Sequence, residues 1–93
     1  MADLFTGKPY TETKNANIIT RSFAETVDDT DLIWHRDRSD RKITIIEGND
    51  WYLQMDNQLP ILLEKDKDYF IPKEEFHRVI KGVGPLKIRI EEF

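Results

Sequence analysis

From residue 18 onward the chain alternates between apolar and polar positions. Trp51, Leu53 and Met55 are separated by Tyr52 and Gln54, and Leu86, Ile88 and Ile90 by Lys87 and Arg89. A period of two sends successive side chains to opposite faces of an extended strand, one face packed and the other wet. Carried along the chain, this pattern predicts strands over residues 18–23, 32–37, 42–47, 51–55, 60–64, 69–72, 76–81 and 86–91. Polar turn chemistry separates them, as in Asp28-Asp29-Thr30-Asp31, Asp56-Asn57-Gln58 and Gly82-Val83-Gly84-Pro85. At Gly48-Asn49-Asp50 the glycine is expected to supply the positive φ of a tight hairpin. Only residues 73–76 have helical character, and one turn is the most they allow. Short strands with regularly spaced turns predict an all-β sandwich or closed barrel.

Residues 1–16 break the pattern. They are polar, carry the Gly7-Lys8-Pro9 turn signal and hold no sustained period. They are expected to form an arm, from which Leu4, Phe5 and Tyr10 could dock on a sheet or a neighbouring subunit. Residues 17–93 then make one domain, because a chain of 93 residues is too short to bury two separate cores. A core of this size is only modestly stabilising. Strand parity also places Leu32 and Trp34 opposite His35 as an exposed apolar patch, and the two features together predict a homodimer.

Charge narrows the partners. A net charge of −4 with no basic cluster argues against nucleic acid, whose phosphates must be met by grouped Lys and Arg. The basic residues of 35–42 are interleaved with Asp37 and Asp40, as on a solvated strand end. The absence of cysteine excludes disulfides, thiolate ligands and cysteine nucleophiles, so any metal must be held by histidine and carboxylate. No apolar run is long enough to span a bilayer, and Met1-Ala2-Asp3-Leu4 does not open a signal peptide. A soluble, cytoplasmic protein with no membrane partner is therefore expected.

The candidate chemistry gathers around the two histidines. His35-x-Asp37-x3-Arg41-x6-Gly48 and Asp66-x5-Pro72-x-Glu74-x2-His77-x3-Lys81 keep the spacing of two known motifs, G-x5-H-x-H-x3-4-E-x6-G and G-x5-P-x-G-x2-H-x3-N. On these residues the chain resembles a small single-domain cupin over residues 18–92. The resemblance implies a double-stranded β-helix, or jelly-roll barrel, of about eight strands. It also implies that His35, Asp37 and His77 stand at metal-ligand positions and hold one divalent transition metal per chain, whether Fe, Mn, Ni, Co or Zn. The departures are that Asp37 replaces a histidine, Arg41 a glutamate, Asp66 and Glu74 two glycines, and Lys81 an asparagine. Two histidines and a carboxylate remain a sufficient set, the facial triad of non-haem Fe(II) sites. Two residues apart on a strand, His35 and Asp37 would share a face, as would His77 and Val79.

Arg41 leaves two arrangements open. Turned inward it would pair with Asp37, giving a metal-free ligand-binding or structural module whose guanidinium suits a carboxylate or phosphate. Turned outward, or onto a substrate, it would leave Asp37 to the metal. Tyr52, Gln54 and Tyr69 are candidate polar contacts to a small-molecule ligand, while Trp51, Leu53 and Met55 are core or cavity wall. A His-x-Asp followed by a distant His also resembles 2-oxoglutarate-dependent oxygenases, but alternation turns the available basic residue, Arg89, outward. The expected function is a small cupin whose metal pocket binds or acts on a small polar metabolite. For an enzyme, the resemblance implies oxygen-dependent cleavage or isomerisation, and fold analogy selects no substrate.

Overall fold

In the computed structural model, which describes residues 9–93, the alternating segments become antiparallel strands. They are β1 (Thr11–Asn15), β2 (Ile18–Phe23), β3 (Arg41–Asn49), β4 (Tyr52–Met55), β5 (Ile61–Leu62), β6 (Asp68–Ile71), β7 (His77–Ile80) and β8 (Val83–Glu92). Five of them form a sheet in the order β1-β2-β8-β3-β6, and three form a second in the order β5-β4-β7. Inward residues of the first sheet, including Ile19, Phe23, Ile43, Ile45, Leu86, Ile88 and Ile90, meet Leu53 and Met55 of the second, with Trp51 and Leu63 beside it. Trp51 is fully buried, and its indole N–H donates to the Gly84 carbonyl at 3.2 Å, so its one polar atom is satisfied. No helix among the described residues is long and apolar enough to cross a membrane.

Three local expectations are corrected. Residues 32–37 are not a strand. The chain from Ala24 to Asp40 is a long connection with a 3-10 turn at Asp29–Asp31, and His35 alone bridges to β7. Side-chain parity therefore fails there: Leu32 packs against the core and lines the central cavity, and the exposed face expected of it is left to Trp34. A strand instead forms at Thr11–Asn15, within the stretch read as an arm. All five of its residues are exposed, so it has no alternation to detect, and register with β2 alone defines it. Leu4 and Phe5 lie outside the described residues.

Gly48 does not carry the positive φ assigned to it. That conformation falls on Asp50, with φ 60°. Gly48 is small for another reason: a Cβ there would stand 2.8 Å from Leu86 Cδ1, where β3 shifts register against β8. Asp66 and Glu74, the residues at the glycine positions of the resembled motif, both adopt positive φ, 67° and 63°.

Candidate metal centre

The site sits at one end of the molecule, where β3 and β7 begin and β6 and β8 end. His77 opens β7 and is buried, while His35 is clamped to it by two backbone bonds, His35 N–H to His77 O at 3.0 Å and the reverse at 2.9 Å. One bridge is enough to set the two rings side by side, with centroids 4.3 Å apart. Asp37 follows two residues on, and its carbonyl accepts from Glu74 N–H at 2.7 Å. Local pairing thus brings together the three residues named from sequence. Their ligand atoms all lie within 4.8 Å of one another.

Each imidazole is oriented by a backbone carbonyl. His35 Nδ1 donates to Ile33 O at 3.0 Å, and His77 Nδ1 to Glu75 O at 2.9 Å. A proton on Nδ1 leaves Nε2 as a lone pair, and both Nε2 atoms turn to Asp37: His77 Nε2 is 3.3 Å from Oδ2, and His35 Nε2 is 3.9 Å from Oδ1. Asp37 Oδ2 is buried and has no hydrogen-bond donor among the described residues. A carboxylate oxygen facing an imidazole lone pair at this distance is repulsive unless a proton or a cation lies between them. Nitrogen and oxygen ligands about 2.1 Å from a metal at right angles stand roughly 3 Å apart; the His77–Asp37 pair at 3.3 Å is near that separation and the His35–Asp37 pair at 3.9 Å is wider.

Burial by itself would raise the Asp37 carboxyl. A hydrogen bond from His77 Nε2, which the ring can donate only when it is doubly protonated, and the charge of Arg41 outweigh it and hold the group below its ordinary value.

Arg41 points inward, with Nη1 3.4 Å from Asp37 Oδ1, but its nearer partner is Glu92. Glu92 Oε2 accepts from Nη2 at 2.7 Å and from Nε at 3.1 Å. One guanidinium is therefore met by two carboxylates, and Lys14 Nζ stands 3.7 Å from Glu92 Oε1 on its other side. Glu92 was not among the residues singled out from sequence. Its signal was nonetheless present, since it continues the inward series Leu86, Ile88, Ile90 by one further step of two.

Beyond the centre a cavity of about 350 Å³ opens between the sheets, walled by Phe23, Ile43, Leu53, Val79, Ile88 and Ile90. Tyr52 and Gln54 do not face it. Leu53 takes the inward position, so its neighbours on β4 turn out: Tyr52 is exposed, and Gln54 is engaged by Arg78 and by the Gln58 carbonyl. The Tyr69 hydroxyl is likewise occupied, between Leu62 O and Glu64 N–H. Arg89 is exposed, as its parity required.

The strand array and the enclosed site make the fold that of a small all-β barrel of the cupin type, a double-stranded β-helix. No protein-family description matches the chain, and none of the curated proteins does. Solved structures do match. A Neisseria meningitidis protein superposes with a TM-score of 0.64 at 17% identity, over 90% of this chain and 82% of that one. A structure from a study of DMSP lyases gives 0.69 at 15%, over 81% of this chain and 36% of that one. Hydroxypropylphosphonic acid epoxidase from S. wedmorenis gives 0.67 at 17%, over 90% and 49%. The chain thus spans most of the first structure but half or less of the other two. At these identities the likeness is one of fold.

Proposed function

We propose that the protein binds one divalent transition metal through His35 Nε2, His77 Nε2 and Asp37, and uses it at the end of a pocket for a small organic molecule. The observation that carries this is the buried Asp37 Oδ2, which has no donor and faces an imidazole lone pair at 3.3 Å. A cation between them removes the conflict. Solved structures of a similar protein called HppE, at 16% identity and a TM-score of 0.67, are of its Fe(II) and Co(II) forms, which supports the same class of ion here. Two histidines and one carboxylate leave open positions on such a metal, where a Lewis acid or oxygen-activating centre can meet substrate. If the pocket is catalytic, the cupin resemblance implies a reaction of the oxygenase or isomerase type there.

The contact between Arg41 and Asp37 favours a second reading, a metal-free binding or structural module. It accounts for Oδ1, and it requires a proton on His77 Nε2 to account for Oδ2. Elemental analysis of protein purified without a histidine tag separates the two. About one equivalent of transition metal per chain is the expected result, and metal-free protein that takes none up on reconstitution supports the second.

The chain is also proposed to form a homodimer. The small core motivates this, together with the exposed Leu59, Ile61 and Leu62 on and beside β5, at the edge of the three-stranded sheet.

A further inference from the structure

β2 carries a charge where its pattern calls for an apolar residue. Ile19 and Phe23 are buried and face inward, and Arg21, midway between them, shares that face and lines the cavity. Its side chain is only 12% exposed. The guanidinium carbon lies 3.9 Å from the centre of the Tyr10 ring, and that ring packs on Phe23 at 5.3 Å, so the group rests against an aromatic wall. Nε donates to Glu12 Oε1 at 3.0 Å. Among the described residues the Nη hydrogens have no hydrogen-bond partner, and a guanidinium offers five donors in a planar fork. An inward arginine whose Nη donors have no partner among the described residues, at the wall of a largely apolar cavity, can receive an anion.

The register sets its distance from the metal centre. Arg21 pairs with Ile88 across β2 and β8, while Arg41 pairs with Glu92 across β3 and β8. Four residues of β8 separate the rows, roughly 13 Å along the strand. Ile43, Leu53, Val79 and Ile90 line the same cavity. Arg41 cannot serve as the anion receptor, because Glu92 and Asp37 already occupy it. Glu12 beside Arg21 disfavours a doubly charged head group and suits a single negative charge.

We propose that the cavity takes an amphipathic carboxylic acid, its carboxylate on the Nη edge of Arg21 and its apolar body along the walls, with the far end reaching the metal centre. The far end rests on the metal reading above, and the Arg21 end does not. Octanoate is a suitable probe, titrated by calorimetry into full-length protein treated with chelator, so that metal plays no part. Saturable binding of one octanoate per chain is expected, with methyl octanoate and octanol weaker by tenfold or more, the loss that follows a missing charge-assisted hydrogen bond.

Arg21→Gln is expected to lose at least tenfold in octanoate affinity while keeping its affinity for metal. Glu12→Gln is expected to bind octanoate more tightly, because the competing carboxylate is gone. If Arg21 served only to tie β1 to β2, Glu12→Gln would lower stability and leave octanoate binding unchanged, and that result overturns the proposal. No octanoate binding, or equal affinity for the acid and its methyl ester, overturns it as well. Should Arg21→Gln fail to fold, the comparison of acid with ester and the Glu12→Gln variant decide the matter alone. Octanoate binding without metal binding removes the metal reading and leaves this one standing.

Discussion

His77 is the side chain on which the candidate centre depends most. It is buried, its Nδ1 is committed to Glu75 O, and its Nε2 faces the unpaired oxygen of Asp37. His77→Ala is expected to abolish metal binding and leave the far-ultraviolet β signal intact, because the backbone bonds to His35 survive the change. Asp37→Asn keeps an oxygen but no charge, and is expected to bind more weakly without losing binding altogether. Metal titration followed by circular dichroism checks both.

The Arg41–Glu92 pair makes a separate claim at the same scale. Two hydrogen bonds from Arg41 hold the Glu92 carboxyl below its ordinary value against a smaller opposing effect of burial, with Ser39 assisting. A carboxyl depressed on folding adds stability above its unfolded value, and that stability is lost as pH falls through the depressed folded value. Below about pH 4.5, therefore, the wild type is expected to lose stability more steeply than Glu92→Gln. In double-mutant cycles, Arg41 is expected to couple to Glu92 by about 1 kcal/mol and to Asp37 by less. Equal couplings would show Asp37 to be the true partner of Arg41.

At the scale of elements, legibility followed burial. β2, β4 and β8 have one packed face and one wet face, and their alternation marked them. β1 is wet on both faces and left no trace, while residues 32–37 alternate by chance along a connection that makes one bridge. His35 and Asp37 nevertheless reach the same place. The bridge fixes His35, and Glu74 N–H fixes the Asp37 backbone, so the site survived an incorrect strand assignment. Arg21 and Glu92 were hidden by their charge, since inward parity is seldom read through a residue that belongs at the surface.

The turns carry strain that can be relieved. Glu74 holds φ at 63°, a conformation costing an L-residue roughly 1–2 kcal/mol that glycine does not incur. Glycine also loses more chain entropy on folding, so Glu74→Gly is expected to stabilise the fold by about 0.5 kcal/mol or slightly more. Chemical denaturation measures this, and a loss of stability would mean that the Arg36–Glu74 contact at 3.4 Å matters more than the backbone.

For the whole molecule, the two sheets flank a cavity with largely apolar walls and with Arg21, His35, Asp37, Arg41 and His77 among its polar lining. The proposed homodimer would add buried surface to the small core of an 11.1 kDa chain. Light scattering at micromolar concentration is expected to give twice the chain mass, and a single-chain mass would contradict the homodimer. The central claim is that Asp37 and the two imidazoles form a cation site, and calorimetry on tag-free, chelator-treated protein tests it most directly. Fe(II) under anaerobic conditions, Mn(II), Co(II), Ni(II) and Zn(II) are titrated in turn. The expected result is saturable binding of one ion per chain for at least one of them, weakening on acidification as the ligands take up protons. The absence of saturable heat from all five would contradict the claim.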